Sequence, residues 1–206
     1  MRRLNRMLFR IFLGLFVLAL AALPLRDSRA HPHIWIDVVS TFEFKEGKVT
    51  GLKVRWTFDE FFSAGIIHHF DKDKSGSFDD AETASLQKGA FEATQDDSYF
   101  THIKINDARI RLKKVQSYKA EIFKSSLVME FVAQLPEPVD PSKDKITVSV
   151  FDSTYYVDVA FEKLDPVRFS GEQNGFCTFK MLKDKGNPIY FNSVHPQLLE
   201  LVCTGE

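Results

Sequence analysis

Between Asp71 and Glu82 the chain places oxygen-bearing side chains at the intervals that a hard divalent cation needs. Asp71, Asp73 and Ser75 supply side-chain oxygens at the first, third and fifth positions, and Gly76 permits the sharp turn. Ser77 offers its carbonyl, Asp79 can act through a water, and Glu82 at the twelfth position brings two oxygens, which is the pattern of an EF-hand loop. Phe78 occupies the apolar position that packs such a loop. With no thiol or imidazole in the set, calcium is the expected ion. The alternative is an acidic surface loop without a metal; every position being in phase, with helical patterns on both sides, argues against it. Regulatory loops of this kind come in pairs, and this one is single, so a permanent staple is expected rather than a switch.

A second place for chemistry lies at the start of the processed chain. Arg2, Arg3, Arg6 and Arg10 precede an uncharged apolar run from Ile11 to Leu23, then Pro24 and Ser28-Arg29-Ala30, the layout of a cleaved signal peptide spanning residues 1–30. An uncleaved anchor is the rival reading, but the run is shorter than the roughly 20 apolar residues needed to span a bilayer. Export places the protein in the periplasm, with the general route preferred over the twin-arginine one. Cleavage after Ala30 exposes His31-Pro32-His33-Ile34-Trp35-Ile36-Asp37. The α-amine and imidazole of His31 can close on one ion, and His33 adds a third nitrogen. In an extended chain His31, His33, Trp35 and Asp37 share a face, so Asp37 is a candidate to orient a ligating ring from behind. Pro32 has no N–H and blocks the square-planar amide site for copper or nickel. Imidazole and amine ligands suit zinc, nickel, copper or cobalt. Two solvated histidines on a frayed terminus are the competing reading. His68 and His69 point apart on a helix, with His69 on its apolar stripe, and His102 and His195 receive no role.

The elements that position these residues follow from periodicity. Ile34 to Phe44 and Thr50 to Phe58 alternate with period two around the Glu46-Gly47 turn, which reads as a hairpin. Phe58, Phe61, Phe62, Ile66, His69 and Phe70 then recur at helical spacing, with Thr57 and Glu60 placed as a capping box. A second helix leaves the loop over Ala81 to Ala93. From Ile103 onward alternation returns in short segments as far as Phe176 to Phe179, giving about eight or nine strands in all. The expected fold is mainly β with an α insertion: an antiparallel, sandwich-like domain over residues 31–206, carrying an EF-hand helix–loop–helix at about 58–95. Pro136-Glu-Pro138-Val-Asp-Pro141 reads as a stiff polar connection within that one domain.

Of the 27 Lys and Arg and 28 Asp and Glu, six bases and one acid lie in residues 1–30, so the mature chain carries a net charge near −6. That disfavours nucleic acid and suits cations. Cys177 and Cys203 are the two cysteines, and in an oxidising compartment a disulfide between them is expected ahead of free thiols or a soft-metal pair. No Ser–His–Asp spacing, phosphate-cradling glycine loop or catalytic cysteine setting is visible, so an enzyme is not expected. Asp152-Ser-Thr-Tyr155-Tyr156 could line a site, although a tight turn with packed tyrosines accounts for it.

Taken in order, His31-Pro-His33-Ile-Trp-Ile-Asp37, Trp56-Thr-Phe58-Asp59-Glu60-Phe-Phe-Ser63, the loop, Tyr99-Phe-Thr101 and Phe151-Asp152-Ser-Thr154-Tyr155-Tyr156 resemble the motifs of bacterial domain-of-unknown-function family 1007. Its members are described as periplasmic components of uncharacterised transport systems. The resemblance implies a partner, a nickel/cobalt-type or zinc-related membrane transporter, and a metal-delivery or accessory role, and it raises His31 and His33 to leading transition-metal ligands. Ser75 stands where many relatives carry Asp, which lowers the ligand charge. The expected function is a periplasmic accessory protein that holds a divalent transition metal and is stiffened by calcium, its mature chain not embedded in the membrane. The alternative is a calcium-stabilised interaction module without a transition metal; a copper oxidase would need a substrate groove that the sequence does not mark.

Overall fold

A computed structural model describes residues 32–204; the expected signal peptide and His31 lie outside the described residues. The chain is mainly β, with eleven strands in two sheets among the described residues. Strands β1 (Ile34–Lys45) and β2 (Lys48–Phe58) form the hairpin read from the sequence. Two helices follow, α1 (Glu60–Phe70) and α2 (Asp80–Gly89), then a 3₁₀ segment (Phe91–Phe100). The remaining strands are β3 (Thr101–Ile105), β4 (Ala108–Ile110), β5 (Gln116–Phe123), β6 (Ser126–Val139), β7 (Ile146–Val150), β8 (Val157–Phe161), β9 (Val167–Gly171), β10 (Cys177–Lys183) and β11 (Gln197–Cys203).

The first sheet runs β5-β6-β2-β1-β8, with β9 also on β1; the second runs β10-β11-β7-β3-β4. Most pairings are antiparallel as expected, but β8 and β9 lie parallel to β1, one after the other along its edge. Gly171 ends β9 at φ +85, where a Cβ would lie 2.0 Å from the Phe44 carbonyl oxygen, so only glycine fits this approach. One continuous core takes Ile36, Val38, Trp56 and Phe131 from the first sheet and Ile103, Val148 and Leu199 from the second. Pro136 and Pro138 continue β6 rather than interrupting it. Cys177 and Cys203 face each other across β10 and β11 and form the disulfide.

The insertion departs from the sequence reading at three points. Thr57 belongs to β2, and the cap of α1 is Asp59, whose side chain accepts from the Phe62 amide. His69 is exposed, its ring edge against Phe70, while Ser63 takes the buried face of α1. Serine is small enough there for the helix to close on β6, and its Oγ accepts from the Leu127 amide at 2.8 Å. Third, α2 ends at Gly89, and the chain tightens into the 3₁₀ segment, where Ser98, Tyr99 and Phe100 all have positive φ. These strained residues are held by burial, since Tyr99 and Phe100 both enter the core.

His102, given no role from the sequence, is buried on β3. Its ring stacks on Phe151 at 3.8 Å, Nε2 lies 3.1 Å from the Phe151 carbonyl, and Nδ1 meets Arg109 Nη2. With Arg109 donating to Nδ1, the Nε2–H donates to the carbonyl and the ring is neutral. Burial holds His102 below its ordinary value, reinforced by Arg109 and opposed first by the hydrogen bond to the Phe151 carbonyl and then by Asp97 and Asp184. The unfolded chain therefore takes up a proton near pH 6.5 that the folded chain refuses until lower pH, so this contribution to stability is lost as pH falls below about 6.5. Melting temperatures measured from pH 7.5 to 5.5 are expected to fall, and His102→Gln is expected to flatten that slope.

Candidate functional site

Helix α1 delivers the first loop carboxylate: the Asp71 amide closes the last turn on the Ile67 carbonyl at 2.9 Å, and its side chain turns into the loop. Asp71 then accepts from the Ser75 and Gly76 amides, each at 3.0 Å, and Asp73 accepts from the Ser75 amide at 2.9 Å. Gly76, at φ +79, makes the reversal that brings those amides inward. Ser75 Oγ donates to the Ser77 carbonyl at 3.0 Å. At the far end Asp79 caps α2 by accepting from the Glu82 amide at 2.8 Å, while Glu82 accepts from the Asp79 amide at 3.1 Å, a reciprocal capping box. The other Glu82 oxygen accepts from the Lys72 amide at 2.6 Å, so Glu82 ties both ends of the loop.

One carboxylate oxygen from each of Asp71, Asp73 and Glu82 lies within 4.8 Å of the others, and Asp71 and Glu82 are buried. Hydrogen bonding from Ser75, through its side chain first and then its amide, holds the Asp73 carboxyl below its ordinary value. Among the described residues no lysine, arginine or histidine is ion-paired to any of the three. Three converging carboxylates held by amides but lacking a cationic side chain form an arrangement suited to a hard dication.

The amino-terminal histidines divide at the limit of the described residues. His31 lies outside them; His33 is exposed, its amide donating to the Tyr156 carbonyl at 2.9 Å and its ring 4.8 Å from that of Tyr156. The parallel register pairs Ile34 with Val157 and Trp35 with Asp158, so His33, Trp35 and Asp37 share a face with Tyr156, Asp158 and Ala160. Asp37 stands four residues beyond His33, roughly 13 Å along the strand. Asp158 lies two residues beyond Tyr156, one diagonal step across the parallel pairing from His33.

Sequence reasoning passed over Asp158. A signal was present, since aspartate is disfavoured in strands and here sits alone between Val157 and Val159. Burial, and then the charge of Asp37, push its carboxyl above the ordinary value. A raised folded value means stability that is full below the unfolded value near 3.9 and lost as pH rises through the folded one. Asp158→Asn, which never ionises, is therefore expected to raise the melting temperature of the metal-free protein slightly at pH 7, a shift absent at pH 3.

Asp152 is buried and organises the turn before β8, accepting from the Thr154 amide at 2.8 Å and the Val157 amide at 2.9 Å. The same turn forms one wall of a cavity of about 190 Å³, lined among others by Tyr155, Asp158, His195 and Gln197. Thus the Asp152–Tyr156 segment is both a tight turn and a cavity wall. Asp59 joins this end of the molecule to the loop. Its carboxylate accepts from the Trp35 amide at 3.0 Å and the Phe62 amide at 2.9 Å, so the residue that starts α1 also holds the start of β1.

Among the described residues no helix is long and apolar enough to cross a membrane. A protein of Spirochaeta aurantia, described as an uncharacterized 15.5 kDa protein in the trpE 3′ region, is 28% identical over 110 residues, 53% of this chain and 78% of that protein. An uncharacterized protein of Haemophilus influenzae (strain ATCC 51907 / DSM 11121 / KW20 / Rd) is 24% identical over 156 residues, 75% of this chain and 73% of its own length. The family model described as "Protein of unknown function (DUF1007)" matches residues 16–193, and the chain belongs to that family.

Proposed function

We propose that this protein is a metal-binding accessory protein of the periplasm, stabilised by calcium in an EF-hand formed by α1, the Asp71–Glu82 loop and α2, and that it presents a divalent transition metal, held by His31 and His33, to a membrane transporter. The observation that carries the reading is the convergence of Asp71, Asp73 and Glu82 without a cationic side chain to neutralise them. Calcium there fixes α1, and α1 through Asp59 fixes the start of the strand that follows His33. An exposed His33 at the end of that strand suits an ion meant to be passed on rather than stored. The transporter and the compartment enter through the motif resemblance and the expected signal peptide.

The test uses protein exported through its own signal peptide, with His31 verified as the terminus by intact mass. Nickel, copper, zinc and cobalt are titrated calorimetrically with calcium in excess. One-to-one binding that disappears in His33→Ala is the expected result. No binding beyond calcium would overturn the transition-metal reading and favour the second one, a calcium-stabilised interaction module. The exposed rings of Trp35 and Tyr156, on one face of the β1–β8 pairing, favour that alternative, because adjoining exposed apolar groups mark interaction surfaces.

A further inference from the structure

Strand β8 is the last of its sheet, and the cavity of about 190 Å³ lies along its open side. There the Val157 amide donates to Asp152 at 2.9 Å and the Phe161 amide donates to Gln197 Oε1 at 2.7 Å. Alternate residues of a strand point their peptide groups the same way, so the N–H and C=O of Val159, between those two, face the cavity with no strand to pair them. Val159 is buried, and buried peptide groups in native proteins are almost always satisfied by a partner, a water or a ligand. We propose that this cavity binds a small aliphatic primary ammonium, its charge held by Asp158 and the Val159 carbonyl and its carbons by the apolar wall, a site independent of the Asp71–Glu82 loop and of His33.

The lining sets the class of ligand. Two carboxylates and neither lysine nor arginine border the cavity, which disfavours an anion. Asp152 is engaged by its own turn, whereas no basic side chain is ion-paired to Asp158 among the described residues. Burial, and then the charge of Asp158, hold the Tyr155 phenol above its ordinary value, so the Asp158 carboxylate stands near Tyr155 in the cavity wall. Asp152, Asp158 and His195 do not converge as a three-ligand metal site, which leaves an organic cation. An ammonium has three N–H donors, and the Asp158 carboxylate, the Val159 carbonyl and a ring nitrogen of His195 are acceptors on this lining. Ile189, Val194 and Pro196 supply the apolar wall, and Tyr155 adds an aromatic ring that suits a cation. The volume is below the roughly 300–1,000 Å³ of sites for drug-sized molecules, so the ligand is smaller than those. Backbone strain gathers at the same place. Tyr155 and Tyr190, with φ +58 and +47, stack at 5.3 Å from two separate turns, and Phe191 and Asn192 are also left-handed. Bulky residues rarely adopt this conformation, and such strain concentrates at ligand sites.

The test titrates n-butylammonium, tetramethylammonium, n-butanol and butyrate into the calcium-loaded protein in amine-free buffer and follows the backbone amides by NMR. The expected result is a saturable shift of the Val159 amide with n-butylammonium, and none with n-butanol or butyrate at the same concentration. Tetramethylammonium, equal in charge but without N–H donors, should bind at least about tenfold more weakly, as should n-butylammonium to Asp158→Asn, the loss expected for one charge-assisted hydrogen bond. Asp158→Asn is not expected to lose stability, so weakened binding there reads the site and not the fold. Equal binding of n-butanol would show an apolar cavity only, and equal binding of tetramethylammonium would show unspecific attraction; either overturns the proposal. So does an affinity that Asp158→Asn leaves unchanged, or a Val159 amide that n-butylammonium does not shift.

Discussion

Calcium added to metal-free protein at about 100 times its dissociation constant is expected to stabilise the fold by about 2.7 kcal/mol, because an ion that binds only the folded state contributes RT ln(1 + [L]/Kd). For a domain of this size that corresponds to a rise in melting temperature of roughly 5–10 °C. Glu82→Gln should remove most of the rise, since Glu82 closes the loop at both ends and provides one of the three converging oxygens. Asp73→Asn should act in the same direction with less disturbance of the metal-free fold, because Asp73 is exposed whereas Glu82 is buried and ties both ends of the loop. Ser75→Asp should strengthen calcium binding by adding a ligand charge. Scanning calorimetry with calcium and with a chelator checks all three. A melting temperature indifferent to calcium in wild type would mean that the three carboxylates do not hold the ion.

Trp56→Ala is expected to cost about 3–5 kcal/mol, the largest effect of any single substitution considered, and to be read as a lowered denaturant midpoint in calcium-saturated protein. Trp56 sits at the centre of a ring cluster, with Phe131 at 5.1 Å, Phe91 at 5.5 Å and Phe100 at 5.7 Å. Phe91 and Phe100 bracket the 3₁₀ segment that follows α2, so the cavity would loosen the insertion from the sheet as well as the sheet itself. Trp56→Phe should cost only about 1–2 kcal/mol, because it keeps a ring and removes a buried indole N–H that has no hydrogen-bond partner among the described residues. Equal losses in both variants would show that indole shape, rather than ring burial, holds the cluster.

Local chemistry made part of this protein legible from its sequence. The β1–β2 hairpin declared itself because one face is buried and the other wet, and the loop because twelve residues carry its ligand spacing and its turn glycine together. The start of α1 was misplaced by two residues: Thr57 and Asp59 are both good caps, and only the pairing of Thr57 with Asp37 across the hairpin decides between them. Strand β9 was missed because Val167 to Gly171 is short and half-exposed, and β11 because Leu198-Leu199-Glu200-Leu201 breaks a clean alternation. The position of Asp158 beside His33 was illegible for a deeper reason. The periodicity of each segment marks it as a strand but carries no trace of a partner more than a hundred residues away.

That same pairing sets an order of events for a chain that emerges from its amino terminus. Strand β1 cannot be completed on its outer edge until β8 and β9 have emerged, so residues made early wait for residues made late. Closure across such a sequence distance makes folding slow relative to the hairpin and the helix pair, which are local. A chain truncated before Val157 could still form the β1–β2 hairpin and the Asp71–Glu82 loop, yet His33 would lack the β8 residues beside it. Emergence of β8, rather than of the amino terminus, is therefore the moment at which the edge beside His33 acquires its neighbours.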